Sequence, residues 1–370
     1  MDQLRAAPGA DIVLSAVAGE PGVYVVGGAV RDALLDRVPR ELDFVVEGDA
    51  VAVARRAAAR VGGALKVHDR FGTATVLVDG VAFDFASARR ETYARPGALP
   101  DVELGATIEE DLARRDFSVN AIAWRLDGEI VEWDDARADL RNGILRVLHE
   151  RSFIDDPTRM LRLVRYAHRL GFEPDPDTAA LVDPALLDTV SGERIGNELR
   201  LLAREDAIAA LERFGLGEAL FGEGWRAAPG PGLAALSNAR GLERFGFTAR
   251  ELAVIDGVRR LRGLRGTDVE LWRALRRERP ETIELLAAAG EEGARRWLDV
   301  VRHRKLAITG NDLVAAGLSG AAVGEGLERA MVAMLEGRAP DRESQLREAT
   351  AAGERDQGAG DGGDGGQQQR

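Results

Sequence analysis

The sequence predicts an α+β protein, in which a head with a small mixed sheet is followed by a long all-helical part. Two patterns of residues in the sequence support this prediction. Up to about residue 140, short β-branched and aromatic runs alternate with Ala-rich helical segments. From about Ile154 onward, apolar residues recur at helical spacing, as in Met160, Leu161, Val164 and Ala167, and strand signals nearly vanish.

The elements of the head follow from local signals in chain order. Tyr24 to Val26 is a β-branched and aromatic run that Gly27-Gly28 ends. A tight Asp79-Gly80 turn joins two strands, and Pro and Gly residues make 95–105 a loop. The predicted strands are 24–26, 42–46, 65–67, 73–78, 81–85 and 130–133, and the predicted helices are 29–35, 50–61 and 108–123.

Two boundaries divide the chain, one near residues 140–152 and a softer one near 221–232, where Gly and Pro cluster. We predict a head at 1–148 and helical segments at 149–220 and 221–350. Residues 351–370 have no apolar pattern and are predicted to be disordered. We find no internal repeat.

The composition favours a globular protein with a buried core and argues against disulfide-bonded and membrane-spanning classes. The 370 residues are 45% hydrophobic, which is ample for a buried core, and there is no cysteine for disulfides, cysteine zinc sites or thiol catalysis. No apolar run approaches membrane-spanning length and no signal peptide is evident, so we expect a cytoplasmic protein without a membrane partner. The net charge is −12, yet residues 257–305 hold thirteen basic against eight acidic side chains.

The most informative pattern is VVGGAVRD at residues 25–32, followed by Glu41-Leu42-Asp43. Gly27 and Gly28 allow a phosphate to approach main-chain N–H groups at the start of a helix, whose first turn carries Arg31. Strand alternation would place the Glu41 and Asp43 carboxylates on one face, where bound Mg²⁺ would relieve their repulsion. A solvent-facing acidic strand end after a Gly turn is the structural alternative.

Three further groups of residues are candidates for a site. Asp84, between two aromatic residues on a strand, is either a third carboxylate near the metals or a structural, hydrogen-bonded Asp. The segment 111–121 holds adjacent arginines, of which Arg114 is the first, in an otherwise apolar helix, and its alternative is a surface ion-pair ladder. Asp156 and Arg159 lie three apart and could match the edge of a base, although Asp156 also suits a helix cap.

Five motifs follow one another along the chain: VVGGAVRD, ELDFVVEG, DLARRDFSVNAIAW, DDPTRMLRLVRYAHRLGF and ERIGNEL. In this order they resemble class II tRNA nucleotidyltransferases, the CCA-adding enzymes, and their relatives the bacterial poly(A) polymerases. The resemblance covers about residues 23–200, and Ile308 to Leu313 resembles the C-terminal tail of many CCA-adding enzymes.

The resemblance implies a polymerase-β-like nucleotidyltransferase head, a helical neck at 149–220, and a body and tail at 221–350 that bind tRNA. Glu41 and Asp43 take the metal-ligand positions, although the family usually has two aspartates there and Glu41 is about 1.5 Å longer. Asp155 likewise stands where Glu is usual. The implied nucleotide-binding residues are Gly27, Gly28, Arg31, Arg114, Asp156, Arg159, Arg162 and Arg165.

The implied activity is template-independent addition of CCA to tRNA 3′ ends from CTP and ATP, with Mg²⁺ as cofactor. A-only addition and poly(A) synthesis are alternatives within the family, and a catalytically silent RNA-binding relative is an alternative of another class. Glu193 and Arg194 fall in the neck motif, and residues 95–105 match a flexible element used in switching from CTP to ATP. The four histidines are scattered, and we interpret His68, in His68-Asp69, as structural.

Overall fold

The computed structural model describes residues 2–68 and 72–351. Asp69 and, apart from Ala351, the predicted disordered segment lie outside the described residues. The strands are β1 (Val23–Val26), β2 (Asp43–Val46), β3 (Ala64–His68), β4 (Thr73–Val78), β5 (Val81–Ser87), β6 (Arg89–Thr92), β7 (Asp101–Leu104), β8 (Ile122–Arg125), β9 (Ile130–Glu132), β10 (Ile144–Leu145) and β11 (Glu173–Pro174).

Helices flank the sheet and dominate the rest of the described chain. Those up to residue 221 are α1 (Asp2–Arg5), α2 (Ala10–Val17), α3 (Gly28–Leu34), α4 (Ala50–Val61), α5 (Ile108–Ala113), α6 (Ala136–Asn142), α7 (Ser152–Asp155), α8 (Thr158–Leu170), α9 (Pro176–Ala180), α10 (Gly192–Arg204) and α11 (Leu216–Phe221). The later ones are α12 (Ala249–Leu261), α13 (Asp268–Leu275), α14 (Pro280–Ala288), α15 (Glu292–Asp299), α16 (Gly310–Ala315), α17 (Ala321–Leu335) and α18 (Arg342–Thr350). The 3₁₀ helices are Ser118–Asn120, Pro184–Thr189, Ile208–Phe214, Gly232–Asn238, Leu242–Phe245 and Val301–His303.

The central sheet has seven strands in the order β3-β4-β5-β2-β1-β8-β9. It is mixed, because β2 and β5 run parallel while the other neighbours run antiparallel. This register sets Asp43 of β2 between Val26 of β1 and Asp84 of β5. The centre of the sheet is therefore where the two predicted strand carboxylates meet.

The two faces of the sheet are covered differently. On one face, Phe44 and Phe85 stack with ring centroids 4.6 Å apart, and α4 packs over β4 and β5. On the other face, α5 buries Val45 under Ile108 and Leu112. Asp43 lies at the edge of this covered region, and the part of the face formed by β3, β4 and β5 is largely exposed.

Two sequence-based predictions of secondary structure are wrong. The predicted helix 108–123 ends at Ala113, because Phe117 is extended and bridges to Val147, and the Ser118 N–H donates to the Arg146 carbonyl at 2.8 Å instead of continuing the helix. The predicted loop 95–105 contains β7, which pairs with β6. Strand β2 starts at Asp43, one residue after the predicted start, so strand alternation alone does not fix the position of Glu41 relative to Asp43.

The chain divides into two compact units. The first comprises Met1–Ala227 with Asn238–Thr248, and the second comprises Ala228–Ser237 with Ala249–Arg370. The first unit contains the whole sheet together with α8 and α10, and the predicted division at residue 148 stays a prediction.

The second unit, as far as it is described, is helical. One of its apolar clusters is formed around Val258, Leu275 and Leu286, and another around Leu313 and Ala330. Across residues 2–68 and 72–351, no helix is both long and apolar enough to cross a membrane.

Candidate active site

The glycine turn after β1 places Arg31 inside the head. Gly27 has φ 66°, a conformation that favours glycine, and its N–H donates to the Ile122 carbonyl at 3.1 Å. A Cβ on Gly27 would lie 2.9 Å from Arg115 Nη1. Arg31, only 3% exposed, donates from Nη1 to Asn120 Oδ1 at 2.6 Å and pairs with Asp32 at 2.7 Å. The turn thus brings main-chain N–H groups and a fixed guanidinium to one place.

The carboxylates of Asp43 and Asp84 are side by side across β2 and β5. Asp43 opens into a cavity whose walls displace part of its hydration. This loss of hydration, together with the charges of Glu41 and Asp84, raises the pKa of Asp43 to about 6, although Arg115 acts in the opposite direction. Thr75 Oγ1 donates to Asp84 Oδ1 at 2.5 Å. Glu41 therefore lies close enough to influence Asp43, even though it precedes the strand.

Asp111 holds the two adjacent arginines. It is fully buried, and its Oδ1 accepts from Arg114 Nη2 at 2.7 Å while its Oδ2 accepts from Arg115 Nη2 at 3.0 Å. Burial alone would raise the pKa of Asp111, but the two guanidinium groups hold it below its ordinary value. Arg114 also pairs with Glu91 at 3.0 Å. The predicted ion-pair ladder therefore exists, but it lies inside the protein and orients both arginines.

Asp156 and Arg159 are both fixed by other groups. Asp156 Oδ1 accepts from Thr158 N at 3.0 Å, as a helix cap does, and from Arg194 Nη2 at 2.7 Å. Arg159, 5% exposed, donates to Ser152 Oγ at 2.7 Å and to the Arg114 carbonyl at 2.7 Å. Within the described residues no hydrogen bond to Asp156 Oδ2 is recorded, so this oxygen is available as an acceptor.

The arginines of α8 surround one aromatic ring. Arg162 pairs with buried Asp116 at 2.7 Å, and Arg165 pairs with Glu205 at 3.3 Å. Burial would raise the pKa of Asp116, but Arg162 and the Asn120 amide hold it below its ordinary value. Guanidinium carbons lie near the Tyr166 ring centroid at 5.7 Å for Arg31, 5.9 Å for Arg162, 5.0 Å for Arg165 and 5.0 Å for Arg169. The cluster joins α8 to the glycine turn through Arg31.

These groups line one cavity of about 1090 Å³. The lining includes eleven arginines and seven acidic side chains, so the cavity attracts anions. Among the described residues, Arg37, Arg40 and Arg204 line it with no carboxylate partner. All predicted site residues line this cavity except Asp84: Gly27, Gly28, Arg31, Glu41, Asp43, Arg114, Asp156, Arg159, Arg162 and Arg165. Asp84 lines an adjacent cavity of about 430 Å³, which shares Asp43.

Four residues hold the site in place through contacts that the sequence did not predict, namely Asp111, Asp116, Asn120 and Arg194; of these, only Arg194 had been given a role, in the neck motif. Asn120 links Arg31 to Asp116 through bonds of 2.6 and 3.0 Å. Asp111 orients the arginine pair, and Arg194 fixes Asp156 and also donates to the Gly97 carbonyl at 2.9 Å. All four lie within the recognised motifs. Polar residues among the apolar positions of those motifs could therefore have predicted that these side chains are buried and bonded to the site.

The donor set suits a cation that a substrate helps to bind. Within residues 2–68 and 72–351 there is no cluster of three or more His, Cys, Asp or Glu side chains that could hold a metal ion. The Asp43 carboxylate faces the negative charges of Glu41 and Asp84, and a divalent cation held by Asp43 and Glu41 would relieve this repulsion. Mg²⁺ characteristically uses one or two carboxylates and completes its shell with phosphate oxygens and water.

A glycine turn, paired carboxylates and an arginine-lined cavity on a mixed sheet define a nucleotidyltransferase head. Residues 23–146 match the family model of the Poly A polymerase head domain. The predicted resemblance to class II tRNA nucleotidyltransferases and bacterial poly(A) polymerases is confirmed, and so is the α+β, polymerase-β-like fold.

Two curated relatives illustrate the similarity in sequence. The A-adding tRNA nucleotidyltransferase of Halalkalibacterium halodurans is 44% identical over 215 residues, which are 54% of this chain and 50% of the relative. The CC-adding tRNA nucleotidyltransferase of Deinococcus radiodurans is 40% identical over 207 residues, 54% of this chain and 55% of the relative. The chain spans about half the length, or less, of the curated relatives it matches.

Solved structures match over more of the chain. An apo CCA-adding enzyme superimposes with a TM-score of 0.74 and 28% identity, covering 89% of this chain and 91% of that one. The Thermotoga maritima CCA-adding enzyme complexed with tRNA has a TM-score of 0.71 and 26% identity, covering 93% and 94%.

Proposed function

We propose that this protein extends the 3′ end of tRNA with C and A residues from CTP and ATP. The observation that carries the proposal is the single cavity in which the glycine turn, the carboxylate Asp43 and the Asp156–Arg159 pair all meet. A nucleoside triphosphate needs these three functions in one place: an anion site, a reacting centre and a surface that reads the base.

The triphosphate lies on the arginine-rich side. The main-chain N–H of Gly28, at the start of α3, and the fixed Arg31 guanidinium bind phosphate oxygens, and the Gly27 turn leaves room for them. Arg114 supports them, because Asp111 holds its guanidinium in one orientation. Arg37, Arg40 and Arg204, without carboxylate partners among the described residues, add positive charge to the same wall.

The reaction is attack of the RNA 3′ hydroxyl on the α-phosphate, with pyrophosphate leaving. Asp43, assisted by Glu41, would hold Mg²⁺, which when bound lowers the charge barrier to attack and departure. Asp84 lies in the neighbouring cavity beside Asp43, where it faces an entering hydroxyl and accepts its proton or a hydrogen bond from it. Arg31 and Arg114 offset charge that develops on the phosphates.

Asp156 gives a physical reason for choosing C and A. Cytosine and adenine carry an exocyclic amino group that donates hydrogen bonds, whereas uracil and guanine carry a carbonyl oxygen at the corresponding position. The available Oδ2 of Asp156 accepts from an amino group and repels a carbonyl. Arg159 is fixed by its hydrogen bond to Ser152, and Arg162 and Arg165 by their ion pairs with Asp116 and Glu205. We propose that these bonds keep the surface that reads the base rigid.

The second unit supplies a surface for the tRNA backbone. Several basic residues between 257 and 305 are neutralised, because Arg260 pairs with Glu278, and Arg296 pairs with Asp268. Others are exposed and form no ion pair among the described residues, such as Arg273 and Arg277. Changing Arg273 and Arg277 to Gln should weaken tRNA binding and flatten its salt dependence, while the same change at Arg260 should do so less. Equal effects would contradict this assignment.

A-only addition is the second candidate, because curated relatives at 43–44% identity are named A-adding enzymes. Purified protein should be incubated with labelled CTP or ATP and tRNA that ends before CCA, or tRNA that ends in CC. Incorporation of both nucleotides on the first substrate supports full CCA addition, and ATP incorporation on the second alone supports A addition.

Two further outcomes of this assay would support a function other than CCA or A addition. Repeated A addition to unrelated RNA would indicate a poly(A) polymerase. Tight tRNA binding without incorporation on any acceptor would indicate a catalytically silent RNA-binding protein. Asp43→Ala is the control, since activity that persists in this variant contradicts the metal assignment.

We also propose that the protein is located in the cytoplasm.

A further inference from the structure

The exposed part of the catalytic sheet face has no role in binding the triphosphate or reading the base. It is formed by alternate residues of β3, β4 and β5, whose other residues face the core. On the core side, Ala74, Val76 and Phe85 are at most 1% exposed. On the outer side, Lys66, Thr75 and Leu77 have exposed or partly exposed side chains.

A polar row crosses this face and starts at the reacting centre. The strand register sets Asp43 opposite Asp84, Asp84 opposite Thr75, and Thr75 opposite Lys66. Residues in register on neighbouring strands point to the same face. At a strand spacing of about 4.8 Å, Lys66 lies about 14 Å from Asp43, measured across the strands.

The next row of residues on the same face, Thr73 and His68, is also polar. Thr73 lies opposite His68, and both line the 430 Å³ cavity together with Thr75 and Asp84. Asp43, Arg114 and Arg115 line both cavities, so the two are continuous at the reacting centre. One cavity is suited to the triphosphate, and the other continues onto the open sheet face.

We infer that this face, defined by Lys66, His68, Thr73, Thr75 and Leu77, binds the last nucleotides of the single-stranded RNA 3′ end. The inference deepens the proposed function and rests on it. The 3′ hydroxyl lies at Asp84, and the chain runs across the strands toward β3. Lys66 contacts a phosphate upstream of the terminal nucleotide, and Thr73 and His68 offer donors to sugar and phosphate oxygens. Thr75, whose hydroxyl proton goes to Asp84, offers its Oγ1 as an acceptor to a ribose hydroxyl, and the exposed Leu77 contacts a base or ribose.

Charge favours this occupant. Apart from Asp43 and Asp84 at the reacting centre, the described residues of these outward rows include no acidic side chain. Lys66 is one of two lysines in the whole sequence, and among the described residues it has no acidic partner. An exposed ammonium at the end of a row that begins with the catalytic carboxylates is therefore free for an RNA phosphate.

The test compares two charge-removing variants of the full-length protein. Lys66→Gln removes a charge from the outer face, and Arg55→Gln removes one from α4, which packs on the opposite face and whose Arg55 is exposed. Both are titrated with two RNA hairpins that share one stem, one blunt and one with a short single-stranded 3′ overhang. Lys66→Arg is the conservative variant.

Lys66→Gln should weaken binding of the overhang hairpin about threefold to tenfold and lower its log–log salt slope by about 0.7, the value for one phosphate contact on a single strand. Binding of the blunt hairpin and the KM for the nucleotide should not change. Lys66→Arg should restore binding, and Arg55→Gln should behave as wild type. Equal behaviour of Lys66→Gln and Arg55→Gln on the overhang hairpin overturns the inference, and so does a wild-type protein that binds both hairpins equally.

Failure of the proposed enzymatic function can be distinguished from failure of this inference about RNA binding. A wild-type protein that incorporates neither CTP nor ATP on any acceptor refutes the activity. The binding comparison still decides whether the sheet face holds an RNA 3′ end, because that comparison needs no catalysis.

Discussion

Replacing Asp43 with Asn should abolish nucleotide transfer and, in the absence of divalent cations, stabilise the fold. The pKa of Asp43 is raised to about 6 because the carboxylate loses hydration and faces Glu41 and Asp84. The folded protein therefore binds this proton more tightly than the unfolded chain does. Its stability falls as pH rises from about 4 through 6, and Asn removes this pH-dependent loss.

The size of the effect follows from the shift. A change from 3.8 to about 6 corresponds to about 3 kcal/mol if none of it is screened. Because Asp43 opens into a solvent-filled cavity, water and salt screen most of that interaction, and we expect about 1 kcal/mol at pH 8. At pH 4, where the carboxyl is protonated in the folded protein, the difference should nearly vanish.

The measurement is urea unfolding in EDTA at pH 4 and pH 8, with Asp127→Asn as control. Asp127 is exposed, and its hydrogen bond with Arg125 lowers its pKa, so its replacement should not stabilise the protein at pH 8. Adding Mg²⁺ should raise the stability of the wild type more than that of Asp43→Asn. The reasoning is refuted if Asp43→Asn is no more stable than wild type at pH 8, or if its advantage is the same at both pH values.

Other substitutions test the remaining parts of the site. Asp111→Ala should lower the free energy of unfolding by about 3–5 kcal/mol in urea titrations, because it leaves the Arg115 guanidinium without its carboxylate and Arg114 with Glu91 alone. Arg194→Ala should weaken the preference for CTP and ATP over UTP and GTP about tenfold in kcat/KM, with partial recovery in Arg194→Lys, because Asp156 loses a fixing bond. Glu41→Asp should preserve or raise the rate of transfer, and Glu41→Ala should reduce it by about 100-fold or more in single-turnover assays. Gly27→Ala should raise the KM for nucleotide strongly, since the new Cβ would lie 2.9 Å from a guanidinium nitrogen.

The sequence predicted the order of the head elements well where local signals agreed with tertiary structure. Strands β4 and β5 and helix α4 appear where β-branched runs, a tight turn and an Ala-rich segment indicated them. The helix predicted over 108–123 was wrong because the apolar residues at its end belong to a 3₁₀ turn and to β8, which pairs with β1 and β9. The pairing of Phe117 and Ser118 with Val147 and Arg146, which no local propensity encodes, ends the helix early.

The site was predicted as a set of residues, and the structure shows how they are connected. Motif spacing brought Asp43, Arg114 and Asp156 into one hypothesis, and all three line one cavity. Spacing could not show that Asp156 is held by Arg194, 38 residues further along the chain. It also could not show that Asp84 borders a second cavity, since this depends on the parallel pairing of β2 with β5.

These connections bear on which nucleotides are added. Asp156 can accept from the amino group of either C or A, so its presence alone does not separate full CCA addition from A addition. Arg194 ties Asp156 Oδ1 to α10 and, through the Gly97 carbonyl, to residues 95–100, and Gly97 N–H donates to the Ile154 carbonyl at 3.3 Å. If Asp156 reads the base as proposed, these bonds limit the positions that its carboxylate can take, and their loss in Arg194→Ala should affect CTP and ATP unequally in kcat/KM.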